Sequence, residues 1–183
     1  MNKTLLSATL VAALGVLAFV PAAHAATAID GTITINGQVV AATCTVAVNG
    51  GAANGAVTLK PAPTSSLAAA AATYGDMPFT VGVTGCDASL NGKTVTPYWS
   101  GSNINANGRL NNTGTATNVN LQLLNSDDST AITLNGAEGS QGTTGVAVNS
   151  GAATMTYYAR YYATGAATAG LVSSTVNYTL IYQ

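Results

Sequence analysis

The final fourteen residues, Gly170 to Gln183, constrain the fold more than any other part of this sequence. They read GLVSSTVNYTLIYQ, and four apolar residues in them stand at a spacing of two: Val176, Tyr178, Leu180 and Tyr182. This spacing places the four on one face of an extended strand. Chain ends fray unless they are tied down, so a strand this apolar has to be buried against something. The segment from Thr32 to Ala42 alternates in the same way and is a candidate counterpart.

The rest of the sequence reads as short strands separated by turn residues. Predicted strands cover 32–46, 56–60, 78–84, 94–100, 119–124, 131–134, 144–148, 154–162 and 172–182, and one short helical turn is predicted within 65–73. Asn-Gly pairs, which favour tight turns, occur at 49–50, 54–55, 91–92, 107–108 and 135–136. Many short strands at this spacing indicate an all-β sandwich.

Residue parity predicts which side chains face the core. Inward positions are Phe79, Val81 and Val83, then Val119, Leu121 and Leu123, then Met155, Tyr157, Ala159 and Tyr161. The opposite face of the 154–162 strand carries Arg160, and its charge indicates the solvated side.

Residues 1–25 have the features of a cleaved secretory signal. Lys3 is followed by an apolar run of 16 residues from Leu5 to Val20, and Ala23-His24-Ala25 is a small-x-small cleavage site. The alternative is a membrane anchor, which needs about 20 apolar residues. The run ends too early for that, at Pro21. Export is therefore expected, and the remaining chain is long enough for one domain.

The chain after residue 25 offers little chemistry. It has no histidine to act as a general base, no phosphate-binding loop and no metal-ligand spacing. Its four basic and six acidic side chains give a net charge of −2, which leaves no basic patch for nucleic acid. We therefore expect no enzyme, no cofactor and no nucleic-acid partner. The carboxylate pair Asp127-Asp128 is interpreted as part of a polar turn.

Two cysteines remain, Cys44 and Cys86. An even number in an exported chain predicts a disulfide, and two buried free thiols are the alternative. The disulfide would close a loop of about 42 residues and stabilise the fold by about 4 kcal/mol in the chain-entropy model.

Several segments resemble the pilus subunits of the chaperone–usher pathway. The last strand matches their C-terminal pattern, with Tyr182 next to last, alternating apolar residues before it, and Gly170 fourteen residues from the end. Asp30 to Val46, DGTITINGQVVAATCTV, is similar to their donor segment and first cysteine. The runs ARYYATGAATAG and NVNLQLLN resemble type 1 fimbrial major subunits in particular.

The resemblance implies a fold and a division of the chain. Such subunits are immunoglobulin-like sandwiches that lack their final strand and are completed by a donor strand from a neighbouring subunit. Here residues 1–25 would be the signal peptide, 26–43 the donor extension and 44–183 the pilin domain. Ile33, Ile35, Gly37 and Val39 would form the donor strand. The acceptor groove and chaperone-binding strand would comprise Gly170, Val176, Tyr178, Leu180 and Tyr182.

The resemblance also implies partners and a location. The chain would be a structural subunit of an adhesive fimbria, exported through the periplasm to the cell surface. Its partners would be other copies of itself, a periplasmic pilus chaperone, an outer-membrane usher, and adaptor or tip subunits.

Three alternatives stay open from the sequence. Asn36-Gly37 between apolar runs is by itself a hairpin signal, although Ile33, Ile35, Gly37 and Val39 keep one parity through it. The chain would otherwise be a minor or adaptor pilin. From a different class, it would be a secreted, self-complete β-sandwich that binds a carbohydrate, with Trp99 and the tyrosines at 157–158 and 161–162 as candidate contacts.

Overall fold

Two antiparallel sheets built from eight strands form the protein in a computed structural model, which describes residues 44–183. The strands are β1 (Thr45–Val48), β2 (Thr73–Thr84), β3 (Thr94–Ser100), β4 (Leu110–Asn111), β5 (Val119–Leu124), β6 (Val146–Ala147), β7 (Ala153–Ala163) and β8 (Asn177–Tyr182). Two 3-10 helices lie at Thr64–Leu67 and Ala88–Leu90. No helix within residues 44–183 is long and apolar enough to span a membrane.

The strand order explains which strands lie at the edges. One sheet has the order β1-β2-β7-β5-β4, and the other has the order β6-β3-β8.

Residues Val81, Val83 and Met155 alternate toward the shared core and are almost fully buried. The central pair, β2 and β7, is antiparallel, with Phe79 opposite Tyr157. The parity predicted for these strands is therefore confirmed, except that Tyr161 is only partly buried.

Strand β5 is buried more widely than its alternation predicts. Val119 and Leu123 are buried as expected, while Leu121 is only partly buried. Gln122 and Leu124, at the opposite parity, are buried as well. Gln122 accepts a hydrogen bond from Arg160, so a polar partner accounts for its burial on that face.

Several predicted strands are shorter in the structure or absent from it. Residues 56–60 form no strand and have no ladder partner, and 131–134 contribute one isolated bridge, Leu124 to Ala131. The backbone there bonds to two different segments, since Ile132 donates to Leu123 and Thr133 donates to Gln141. Only Val146–Ala147 remains of the strand expected at 144–148. These predictions were wrong because alternation does not show whether a partner strand is available.

The alanine run forms one helical turn and then leaves the helix. The turn ends at Leu67, and Ala71 has a φ of 67°, a conformation outside the helical region. The amide of Ala71 donates to Ala163, and the amide of Ala163 donates to Ala72. Pairing with the end of β7 thus overrides the helix propensity of alanine.

The last predicted strand, 172–182, starts at Asn177 instead. The preceding residues pair with the segment before β5: Thr113 donates to Ser173, and Ala116 donates to Leu171. A Cβ atom on Gly170 would lie 2.5 Å from the Ala116 amide nitrogen. Only glycine therefore fits at this close approach.

Candidate functional site

The most distinctive surface of the protein is an open groove between two unpaired strand edges. Strand β1 pairs only with β2, and β8 pairs only with β3, within residues 44–183. The space between β1 and β8 has a volume of about 430 Å³. Its lining residues are Cys44, Val46, Ala53, Asn54, Val176, Asn177, Tyr178, Leu180 and Tyr182. None of these side chains is charged, so the groove favours an uncharged occupant.

The wall formed by β8 is apolar because of the strand's alternation. Val176, Tyr178, Leu180 and Tyr182 are each partly buried and pack against the main core. Of the residues between them, Asn177 and Thr179 are exposed and Ile181 is partly buried. The four side chains predicted as the groove wall therefore lie together, half covered by the core and half open.

The open edge of β8 presents unpaired backbone groups. Thr94 and Gln183 exchange two hydrogen bonds, of 2.8 and 3.0 Å, and form a hydrogen-bonded pair between β3 and β8. Such pairs alternate with non-hydrogen-bonded ones in an antiparallel ladder. The amides and carbonyls of Tyr182, Leu180 and Tyr178 consequently point away from β3, toward the groove's open edge.

The opposite wall has the same arrangement over a shorter length. The Val48 amide donates to Ala52, and the Asn49 amide donates to Thr80 on β2. By the same alternation, the backbone groups of Val46 face away from β2. An extended segment lying in the groove would thus meet hydrogen-bonding edges on both sides and apolar side chains beneath.

A disulfide between Cys44 and Cys86 anchors the β1 wall. Cys86 follows β2, and the pair Thr45 and Thr84 begins the β1–β2 ladder. The disulfide prediction is confirmed. The bond ties the start of the groove wall to the strand behind it.

Aromatic residues support the groove from the core side. The Tyr178 ring lies 6.1 Å from the Trp99 ring, which packs edge-on against Tyr157 at 5.5 Å. Burial raises the pKa of both Tyr178 and Tyr182, so their hydroxyl groups stay neutral and can donate hydrogen bonds. The Tyr178 hydroxyl donates to the Ala53 carbonyl at 2.6 Å.

Trp99 is held in turn by a buried glutamine. Gln141 accepts from the Trp99 amide at 2.9 Å and donates to the Trp99 carbonyl at 2.7 Å. It also donates to the Leu134 carbonyl at 2.6 Å. The side chain thereby replaces a neighbouring strand along the far edge of β3.

The other predicted site residues lie elsewhere. Gly170 packs on the segment before β5 and does not line the groove. The donor residues Ile33, Ile35, Gly37 and Val39, and with them the choice between a hairpin and one strand at Asn36-Gly37, lie outside the described residues.

Sequence analysis predicted the β8 side of the groove and missed the β1 side. Val46 could have been assigned from its parity with Val48, whereas Ala53 and Asn54 sit in a loop without a periodic signal. Gln141, which holds Trp99 behind the groove, sits in another such loop. Among residues 44–183, no group of three or more His, Cys, Asp or Glu side chains is arranged to hold a metal ion.

The sequence matches known fimbrial proteins over most of its length. A family model described as type-1 fimbrial protein, A, matches residues 59–183. The chain is 42% identical to the F17 fimbrial protein of Escherichia coli, over 93% of this chain and 96% of that protein. It is also 42% identical to the major fimbrial subunit SMF-1 of Stenotrophomonas maltophilia, over 87% of this chain and 96% of that one.

Solved structures show the same fold. The P pilus rod subunit PapA superposes with a TM-score of 0.59 at 16% identity, covering 76% of this chain and 99% of that chain. The predicted fold class, an incomplete immunoglobulin-like sandwich of the pilin type, is confirmed.

Proposed function

The chain belongs to the type-1 fimbrial protein family, and we propose that it polymerises head-to-tail by lending its N-terminal segment to the groove of the next copy. The family consists of structural pilus subunits and not of enzymes. The observation that carries the proposal is the groove itself, because it combines two unpaired backbone edges with an apolar lining. Adding a strand to an exposed sheet edge is the known mode of donor-strand complementation in such subunits.

The donor segment has the chemistry that this groove requires. Ile33, Ile35 and Val39 share one parity with Gly37, and the segment has no charge between Asp30 and Lys60. Burying the three aliphatic side chains would contribute about 5–9 kcal/mol before ordering costs are subtracted. Ladder hydrogen bonds on both edges add to this. Removal of the strand would break all of these contacts together, which makes the linkage kinetically stable.

Before assembly the open groove needs another occupant. An exposed apolar edge invites aggregation, and we propose that a periplasmic chaperone covers it after the signal peptide, residues 1–25, has been removed. An outer-membrane usher would then exchange the chaperone's strand for the donor segment of the following subunit. The fimbria acts outside the cell, with adaptor or tip subunits completing its end.

The same interface between donor segment and groove, repeated from subunit to subunit, would produce a filament. The donor segment and the groove are different surfaces, so each contact is heterologous and the assembly stays open. We favour the major subunit over a minor or adaptor pilin because the 42% identical relative SMF-1 is a major fimbrial subunit. A self-complete sandwich would fill the groove with its own Thr32–Ala42 segment and would run as a monomer in size-exclusion chromatography. Carbohydrate binding fits less well, because two of its candidate contacts, Trp99 and Tyr157, are buried in the core.

A charge at Gly37 tests this proposal. Gly37→Arg places a long cation in the dry groove of the neighbour, so surface fibres should disappear while the complex with the chaperone still forms. Asn36→Arg is the matched control, because residue 36 has the opposite parity and its side chain should point to solvent. Fibre yield and chaperone-complex yield are measured together. Normal fibres from Gly37→Arg would contradict the proposal.

A further inference from the structure

Five Asn-Gly pairs lie within residues 44–183, and each is a chemical weak point as well as a turn. Glycine has no side chain to shield its backbone nitrogen, so this nitrogen can attack the side-chain carbonyl carbon of the asparagine before it. A folded chain suppresses the attack by holding the asparagine side chain or by engaging the glycine amide in a hydrogen bond. Hydrogen bonding therefore decides which of the five pairs is reactive.

Four of the five pairs are restrained in one of these ways. In three of them the glycine amide donates to a backbone carbonyl at 2.9 to 3.0 Å: Gly92, Gly108 and Gly136. In the fourth, the Asn49 side chain accepts from the Thr80 amide at 2.9 Å and donates to the Ala56 carbonyl at 3.4 Å. Each of these hydrogen bonds would have to break before the glycine nitrogen could reach the carbonyl carbon.

The fifth pair, Asn54-Gly55, has neither restraint. Within residues 44–183, no hydrogen bond engages the Asn54 side chain or the Gly55 amide, and both residues are exposed. A bulkier residue in place of the glycine would slow the attack, but a Cβ atom at position 55 would lie 2.5 Å from the Val48 side chain. The close packing on β1 therefore requires glycine here, and with it the most reactive sequence.

We propose that Asn54 is a site of spontaneous deamidation, through which a subunit whose groove stays empty loses its ability to accept a strand. Asn54 lines the groove between β1 and β8. A strand lying in the groove would cover Asn54, restrict its side chain and slow the reaction. The consequence for assembly rests on the proposed function, whereas the reaction itself does not.

The reaction needs only the chain and water. The Gly55 amide nitrogen forms a bond to the Asn54 side-chain carbonyl carbon, and the bond from that carbon to Nδ2 breaks. The Nδ2 group leaves as ammonia and takes the proton that the Gly55 amide gives up. Water then opens the cyclic imide at either of its carbonyl carbons. The products are aspartate and isoaspartate, whose carboxyl groups are ionised at neutral pH.

Either product changes the β1 side of the groove. A carboxylate at position 54 places a charge on a lining that has none. Covering this charge with an apolar strand is costly, because no lining cation compensates for the lost water. Isoaspartate also adds a methylene group to the main chain, which displaces the closely packed Gly55 from Val48.

Site-specific mass spectrometry tests the reaction. Full-length wild-type subunit released from its chaperone is incubated in mildly alkaline buffer, with and without an excess of a peptide spanning residues 30–42. Digests are scored for the gain in mass when an amide NH2 is replaced by OH. Deamidation at position 54 should be at least about tenfold faster than at 91, 107 or 135, where a hydrogen bond has to break first. Bound peptide should slow it several-fold. Equal rates at these positions, or a rate at 54 that bound peptide leaves unchanged, would overturn the inference.

A directly introduced charge tests the consequence. Asn54→Asp should lower the affinity for the 30–42 peptide at least about tenfold. Asn107→Asp is the matched control, because Asn107 is exposed and lies outside the groove lining. Binding by Asn54→Asp as tight as by Asn107→Asp would overturn the inference.

Aged protein links the reaction to the loss of binding. In incubated wild-type subunit, the fraction that no longer binds the peptide should equal the fraction deamidated at position 54. Asn54→Gln closes the corresponding ring far more slowly, so it should keep its own starting affinity through the same incubation. Equal loss of binding in both proteins would overturn the inference. Fresh wild-type subunit that does not bind the peptide would instead contradict the proposed function, while the deamidation rates still decide the chemistry at Asn54.

Discussion

At the scale of single residues, Gln141 shows how a side chain can replace a strand. Strand β6 pairs with β3 only at Thr94 and Val95, which leaves the far edge of β3 uncovered further along. There the Gln141 amide satisfies both the amide and the carbonyl of Trp99. Since Trp99 backs the Tyr178 ring, this buried amide helps to set the shape of the groove.

We predict that Gln141→Leu lowers the free energy of unfolding by at least about 2 kcal/mol, because three buried backbone groups lose their partner. Gln122→Leu is the matched control. Its partner Arg160 keeps Asp76 within 3.7 Å, so the loss should stay under about 1 kcal/mol. Urea unfolding of the subunit carrying a bound donor peptide measures both. Equal effects would show that Gln141 has no special role.

The same residue marks a limit of sequence analysis. Parity correctly predicted the inward side chains of β2 and β7 because a strand side chain alternates regardless of its partners. Gln141 stands between Ser140 and Gly142, a composition typical of an exposed loop. Its burial depends on the open edge of β3, which lies 42 residues earlier and leaves no local trace in the sequence.

At the scale of elements, strand β1 has only four residues and one ladder partner, so the disulfide has to supply much of its stability. We predict that Cys44→Ala combined with Cys86→Ala lowers the free energy of unfolding by about 4 kcal/mol. It should also weaken the binding of a 30–42 peptide, because the β1 wall is no longer tied to β2. Reduction of the wild-type protein should match the double variant. Unchanged peptide affinity would show that β1 keeps its place without the bond.

Strand β8 allows a sharper comparison between its two faces. Leu180 lines the uncharged groove, while Thr179 is exposed on the other side. Leu180→Asp should therefore lower the periplasmic level of the subunit several-fold with the chaperone co-expressed, because a carboxylate in an apolar groove has no partner. Thr179→Ser should leave the periplasmic level unchanged, because an exposed substitution of this kind changes the free energy of unfolding by no more than about 0.5 kcal/mol. Immunoblots of periplasmic extracts measure both, and wild-type levels of Leu180→Asp would contradict the assignment of β8 as the acceptor edge.

Elements were predictable where a strand is held by one long ladder. The bounds of β3 and β5 agree with the sequence prediction, since β3 pairs with β8 and β5 pairs with β7 along nearly their whole length. Residues 56–60 alternate equally well, with Val57 and Leu59 packed on the core, yet no strand lies beside them. The shared face of Val176, Tyr178, Leu180 and Tyr182 could be predicted from alternation, and its role as a groove wall from the resemblance to pilus subunits. The loop that carries Ala53 could be predicted from neither.

At the scale of the whole molecule, the donor segment and the groove give each subunit a direction. A subunit with a blocked donor segment can still receive a strand in its own groove, but it cannot fill the groove of another subunit. It can therefore occupy only the end of a fibre where the terminal subunit donates no strand. We predict that tagged Gly37→Arg subunits, co-expressed with an excess of wild-type subunits, appear at one end of each fibre and never along its length. Tagged Asn36→Arg subunits, whose donor face is intact, should label the whole fibre. Immunogold labelling counts the two patterns. Gly37→Arg label distributed along the fibre would mean that the subunits are joined by a surface other than the groove between β1 and β8.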